Sequence, residues 1–138
     1  MNERQRLNQG IIDEFRTNAG AVGGQFASIP LLLLTTIGAK SGEPRTTPLA
    51  YVADGTNYII SAGNGGRDMH PGWFHNLLAN PLVQVEVDGE RFAARARVAE
   101  GAERERLFGM MIATAPMFAG FRQRTARAIP MIVLERDA

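Results

Sequence analysis

Val83-Gln84-Val85-Glu86-Val87-Asp88-Gly89, followed by Arg91 to Val98, is the stretch that decides the fold. Three valines alternate with Gln84 and Glu86, so an extended chain is apolar on one side and polar on the other. Asp88-Gly89 is the residue pair preferred in a two-residue hairpin turn, and Arg91 to Val98 provides the returning strand. The pairing is therefore antiparallel.

Outward from this hairpin, Asn80-Pro81 stops a helix that Asp68 could cap, running to about Ala79 with Trp73, Phe74, Leu77 and Leu78 on its buried side. Further upstream, Tyr58-Ile59-Ile60-Ser61 is the return strand of a second hairpin signalled by Asp54-Gly55, and Arg45 to Ala53 is its partner. Leu31 to Ile37 is apolar on both faces, as in a strand covered on both sides or set in a barrel wall. Gly38 to Pro44 is a turn by composition. Leu7, Ile11, Phe15 and Ala19 form a stripe on an N-terminal helix that Gly20, Gly23 and Gly24 end. Downstream, a helix from Glu103 to about Thr114 presents Leu107, Met110, Met111 and Thr114. Pro116 breaks it, a short piece follows, and Met131 to Leu134 is the last strand.

The sum is an α+β chain: a small, mainly antiparallel β-barrel of six or so strands, with N-terminal, middle and late helices packed on it. The expected organisation is one domain over residues 1–138, with a helix and glycine-rich link in 1–24 and the barrel in 30–136.

Composition excludes several chemistries. With no cysteine there is no disulfide scaffold, thiol nucleophile, iron–sulfur cluster or Cys-based zinc site. His70 and His75 stand five apart, a poor metal spacing on a helix, so no metal is expected. Ser41 and Ser61 lack the Gly-x-Ser-x-Gly context of a nucleophile elbow. The charge balance, 15 Lys plus Arg against 14 Asp plus Glu, argues against nucleic acid as a partner. No apolar run spans a bilayer, and the segment with Glu3, Arg4 and Arg6 lacks a signal-peptide core, so a cytoplasmic location is expected. With so few acids, bases and nucleophiles, the chemistry would have to come from a bound cofactor. No catalytic acid is assigned.

Two segments suit an anionic cofactor. Lys40, Ser41 and Arg45 gather two cations and a hydroxyl beside a flexible turn, and Gly63-Asn64-Gly65-Gly66-Arg67 offers free backbone N–H groups before a helix. Each is equally readable as an ordinary loop with solvated charges. Trp73 is either a core residue or a wall for a flat ring. Arg91, Arg95 and Arg97 share a strand face that reads as solvated.

Leu34-Thr35-Thr36-Ile37-Gly38-Ala39-Lys40-Ser41-Gly42-Glu43-Pro44-Arg45-Thr46-Thr47-Pro48-Leu49 resembles the deazaflavin-dependent nitroreductase family of actinobacteria. So do Gly65-Gly66 with His70-Pro71-Gly72-Trp73-Phe74-His75-Asn76-Leu77-Leu78-Ala79-Asn80-Pro81, and Arg124 through Ile129-Pro130-Met131-Ile132-Val133. The resemblance implies a split β-barrel that binds reduced 8-hydroxy-5-deazaflavin (coenzyme F-420) and passes hydride to quinones, nitroaromatics or unsaturated lactones and enones. It implies that Lys40, Ser41 and Arg45 hold the phosphate and glutamyl tail, and that Pro48 and Ala50 lie along the ring. Ala62, Gly63, Asn64, Gly65 and Gly66 would offer N–H groups, and Trp73, Asn76 and Leu77 would close the wall. Thr47 and Pro71 complete the cofactor set. This chain has Gly63 and Asn64 where relatives carry serine and lysine, with Arg67 as the replacement charge. The acceptor segment, Met117, Phe118 and Phe121, lacks the nitroreductases' tyrosines, which favours a quinone or lactone over a nitro group. The runner-up cofactor is FMN. A non-enzymatic carrier of an apolar ligand is the alternative, with the N-terminal helix as lid or peripheral membrane contact. Oligomeric state is left open.

Overall fold

A computed structural model describes residues 3–18, 30–63, 69–124 and 128–137, the side chains of Arg4 and Phe121 excepted. In chain order the elements are α1 (Glu3–Thr17), β1 (Leu31–Ile37), β2 (Pro44–Ala50), β3 (Val52–Asp54), β4 (Asn57–Ser61), α2 (Gly72–Ala79), β5 (Leu82–Val87), β6 (Glu90–Ala99), α3 (Gly101–Thr114), α4 (Met117–Arg124) and β7 (Met131–Arg136).

The deciding hairpin forms as read. Asp88 and Gly89 take φ of 53° and 76°, the paired left-handed residues of a type I′ turn, and β5 pairs with β6 from Val87 opposite Glu90 to Leu82 opposite Arg95. The second hairpin turns one residue later than expected. Asp54 still pairs with Asn57, and Gly55-Thr56 makes the bend.

Among the described residues seven strands form one antiparallel sheet in the order β2-β1-β5-β6-β7-β4-β3. Its two edges, β2 and β3, are consecutive in sequence, with Tyr51 alone between them. Two Cα–Cα steps span at most about 7.6 Å, so the sheet must curl until its edges meet. This corrects the expected single strand from Arg45 to Ala53. The chain leaves β1 as its partner at Ala50 and takes β4 from Val52. Tyr51 is the hinge, and its N–H donates to the Pro30 carbonyl (3.1 Å).

Three apolar clusters explain the hydropathy patterns. Inside the curl lie Leu32, Leu34, Ile60, Val83, Val85, Val87, Phe92, Ala94, Ala96, Ile132 and Leu134, with Trp73, Phe74 and Leu77 of α2 packed among them. Outside, α1 covers Leu31 and Leu33 of β1, while α3 and α4 cover Ile59, Met131 and Val133 of β4 and β7. Strands under a helix are apolar on both faces. β5 has no such cover and alternates.

Several helix faces differ from expectation. In α1, Ile12 and Phe15 are buried and Leu7 is exposed, because the N-terminal half of the helix lies over a polar groove rather than over leucines. Ala19 and the glycines after it lie outside the described residues. In α3, Phe108 joins Leu107 and Met111 inside, Met110 is half-buried, and Thr114 is exposed, since Ala115 and Phe118 continue the inward face. In α2, Leu78 is exposed and the N-cap is Pro71. Asp68, the expected cap, lies outside the described residues.

Candidate functional site

The β1–β2 turn is held by its own backbone. Gly38 N–H donates to the Glu43 carbonyl (2.8 Å), Gly42 N–H donates to the Gly38 carbonyl (2.9 Å), and Glu43 N–H donates to Ser41 Oγ (3.2 Å). A Cβ on Gly38 would collide with the Ser41 hydroxyl, which is why glycine stands there. The Ser41 proton is left to donate outward, and Lys40 and Arg45 are exposed on either side of the turn.

This turn is laced to α2 across 37 residues of sequence. The Asn76 carboxamide accepts from Ala39 N–H at 2.9 Å and donates to Thr36 Oγ1 at 3.1 Å, and Thr36 is buried. The lysine-bearing turn and α2 are therefore one structural unit. Asn76 is more than a wall residue, because both ends of its amide hold the lysine-bearing turn against the helix.

In an antiparallel pair, opposed residues share a face. Arg45, Thr47 and Leu49 oppose Thr36, Leu34 and Leu32, so they share the inner face with α2, while Pro48 and Ala50 oppose Leu33 and Leu31 on the outer face. One flat ligand could not lie against both sets on a covered strand. On an edge strand it can, by lying along the edge. The β2 edge away from β1 faces β4 with no ladder between them. Extended by two residues, the β3–β4 register would set Tyr51 opposite Ile60 and Ala50 opposite Ser61, and then Pro48 opposite Gly63. The face assignments agree, since Tyr51, Leu49, Ile60 and Ala62 all pack inside. The barrel is thus split along a wedge whose closed end is at Tyr51 and whose open end carries Arg45 and Gly63.

The expected cofactor residues fall along that wedge. Lys40, Ser41, Arg45 and Thr47 are at one end, Pro48 and Ala50 run toward the vertex, and buried Ala62 and Gly63 face them. Trp73 and Leu77 are inward on α2, 8% and 2% exposed, and Pro71 caps that helix. Asn64 to Arg67 lie outside the described residues. On the outer side, Gln5, Asn8, Gln9 and Arg16 of α1 bound a groove of about 630 Å³ along Pro44 to Thr47. The Arg16 guanidinium grips Glu86 through two hydrogen bonds, 3.1 and 2.8 Å, a charge-assisted pair that raises the guanidinium pKa.

Of the expected acceptor residues, Phe118 comes near the vertex of the split, since Ala50 packs against the cluster that holds it. Phe118 is buried in the α3–α4 cluster, Met117 is exposed, and the Phe121 side chain is outside the description. The three arginines of β6 are exposed as read, and Arg97 is engaged with Glu103 (2.7 Å) and Glu135 (3.4 Å).

His70 and His75 come closer than their spacing suggested, with ring centroids 5.9 Å apart, because His70 precedes α2 instead of lying on it. Among the described residues no group of three metal-ligating side chains accompanies them.

Ser61, set aside in the sequence because it lacks a nucleophile-elbow context, stands out in the structure. Ser61 Oγ is buried with no hydrogen-bond partner, at the vertex of the split and two residues before Gly63.

A family model described as F420H(2)-dependent quinone reductase matches residues 8–136. The chain is 39% identical over 135 residues to a Mycobacterium tuberculosis protein of that name, covering 95% of this chain and 89% of the other. A solved F420-H2 dependent reductase (FDR-A) superposes with a TM-score of 0.72 at 37% identity, over 77% of this chain and 94% of that one. Another solved chain, described as a domain-swapped dimer, gives 0.74 at 30% identity, over 96% and 100%. With the split barrel, the lysine-bearing turn and the tryptophan helix all in place, the chain belongs to the family of deazaflavin-dependent quinone reductases.

Proposed function

We propose that the chain binds reduced deazaflavin in the split, its anionic end at Lys40 and Arg45 and its ring toward Ala50, and reduces a quinone or unsaturated lactone. One observation carries this: β2 grades from a cationic end to an apolar end along an edge with no ladder partner, and α2 is tied to the cationic end by Asn76. The residues suit the cofactor's chemistry. A lysine, an arginine and a serine with a free proton can pair with phosphate and carboxylate oxygens. The unpaired backbone of β2 offers donors and acceptors to a ring edge, and Pro48, Ala50 and Gly63 allow close approach.

When bound, the deazaflavin supplies a hydride from carbon, which favours two-electron reduction. The chain's part is orientation and exclusion of water. Trp73, Phe74 and Leu77 close the inner side with apolar surface, and Lys40 and Arg45 fix the tail so that the ring has one register along β2. Family membership supports deazaflavin as the cofactor, and nothing supports FMN.

Quinone and lactone are preferred because the acceptor segment carries Met117, Phe118 and Phe121 and no phenol. The test is consumption of reduced deazaflavin with a naphthoquinone, an unsaturated lactone or a nitroaromatic. Faster turnover of the first two supports the assignment, and a preference for the nitroaromatic overturns it. The solved domain-swapped relative supports self-association here, which light scattering would check. Among the described residues no helix is long and apolar enough to cross a membrane.

A further inference from the structure

Ser61 ends β4 and lies opposite Met131 on the outer face of the sheet, beside the cluster formed by α3 and α4. It is 8% exposed, and its hydroxyl has no hydrogen-bond partner. An unpaired buried hydroxyl destabilises a fold, so the group is retained at a cost. Alanine would pack in the same place without that cost.

Position supplies the reason. Carried on past Val52 and Ile59, the β3–β4 register would set Ser61 across the split from Ala50, and its pairing with Met131 puts it on the face shared with Ile59 and Met131. Its hydroxyl belongs to the Ala50 end of the wedge. Lys40, Ser41, Arg45 and Thr47 occupy the other end, and Pro48 and Ala50 between them carry no side-chain donor. The strands β2 and β4 share no ladder, so parting them at the vertex undoes no strand pairing.

We propose that the Ser61 hydroxyl donates to the carbonyl oxygen of the acceptor, making Ser61 a catalytic residue of this chain. The inference rests on the cofactor reading above, which puts the ring at the same end of β2. In the transfer, a C–H bond of the reduced ring breaks and its hydrogen passes with the electron pair to the acceptor. The ring is oxidised, the acceptor is reduced, negative charge gathers on the acceptor oxygen, and water supplies the balancing proton. A donor aimed at that oxygen stabilises the charge as it forms. The serine proton is shared in the hydrogen bond and never leaves, so no acid of matched pKa is needed. This accounts for a site with no carboxylic acid or histidine assigned to it.

Three measurements on the full chain decide it: melting temperature without ligand, Kd for deazaflavin by Trp73 fluorescence, and the kinetics of naphthoquinone reduction. Ser61→Ala is expected to raise the melting temperature by about 2–5 °C, because it removes an unsatisfied group. It should leave Kd for deazaflavin within about twofold and lower kcat about tenfold, the loss expected for one hydrogen bond made in the transition state. Ser61→Thr, which keeps the hydroxyl, should recover most of kcat. The kcat loss and threonine rescue are readouts that a packing role would not produce.

Wild-type kcat in the alanine variant would overturn the proposal. So would a lowered melting temperature, which means the hydroxyl is already partnered in the free protein. A loss confined to deazaflavin affinity would move the hydroxyl from acceptor to cofactor and overturn it too. If the wild-type chain binds no deazaflavin, the cofactor reading falls and this inference with it. If the wild type binds and turns over but Ser61→Ala does the same, this inference alone falls.

Discussion

Replacing Asn76 by alanine removes the amide that ties the β1–β2 turn to α2. Two hydrogen bonds are lost, one to Ala39 N–H at 2.9 Å and one to Thr36 Oγ1 at 3.1 Å. The Ala39 bond is exposed, and water replaces it at little cost. The Thr36 hydroxyl is 1% exposed and would lose its donor in a dry environment. Summed, the cost is about 1.5–2.5 kcal/mol, which for a chain this long lowers the melting temperature by about 4–8 °C. The turn would keep its internal bonds but lose its register against the helix, so Lys40 would no longer be held where the anionic end of the cofactor lies. Affinity for deazaflavin should fall about tenfold. The decisive assay is a double-mutant cycle on that affinity with Lys40→Ala. If Asn76 acts by placing the turn, removing Lys40 first should abolish most of the Asn76 effect, a coupling of about 1 kcal/mol. Additive losses would refute the reasoning and make Asn76 an independent cofactor contact. A lower melting temperature with unchanged affinity would refute the link between turn and site.

Lys40→Ala alone should weaken deazaflavin binding by about 1.5–3 kcal/mol in low-salt titration, and the difference should shrink as salt is added. Gly38→Ala should cost about 1–3 kcal/mol in denaturant unfolding, because its Cβ runs into Ser41 Oγ and lies 3.3 Å from the Glu43 carbonyl; adding Ser41→Ala should recover part of the loss. Ile12→Ala should cost about 2–5 kcal/mol, whereas Leu7→Ser should change stability by less than about 0.5 kcal/mol, since Ile12 is 4% exposed and Leu7 62%. The hydrogen bond from Arg97 holds the Glu103 carboxyl below its ordinary pKa. Its contribution is present above the unfolded value and is lost as pH falls through the folded one, so Glu103→Gln should flatten the decline of melting temperature below about pH 4.

Local features of the fold were legible. Asp88-Gly89 announces its turn because few residue pairs tolerate two positive φ values in succession, and the Val83, Val85, Val87 alternation announces a strand with water on one side. Leu31 to Leu34 were readable as doubly covered, though not by what; the outer cover is α1. The hinge at Tyr51 was invisible because nothing in Arg45 to Ala53 interrupts an extended pattern, and the change of partner is decided by strands far away in sequence. On α1 Phe15, and on α3 Leu107 and Met111, are buried as read, whereas Leu7 and Thr114 are exposed. Periodicity marks apolar residues, and only the surface beneath decides whether Leu7 or Ile12 is covered.

For the candidate site, Lys40, Arg45 and Trp73 were proposed from residue type and family pattern. That Asn76 joins the turn to the helix was not, because a contact across 37 residues leaves no local trace. The sequence placed His70 and His75 on one helix, whereas His70 precedes α2. Ser61 was weighed only as a nucleophile, since a serine at a strand end is otherwise ordinary in sequence and conspicuous only once its hydroxyl is found buried and unpartnered.

The central claim is that the split holds a deazaflavin, and the most direct test is titration of the purified chain with oxidised deazaflavin and, separately, with FMN, followed by Trp73 fluorescence. Trp73 is the sole tryptophan and belongs to the helix that closes the site, so its emission reports on the wedge. Saturable quenching by deazaflavin, weakened in Lys40→Ala and absent with FMN, is the predicted result. Equal quenching by FMN, or none by deazaflavin, would contradict the account.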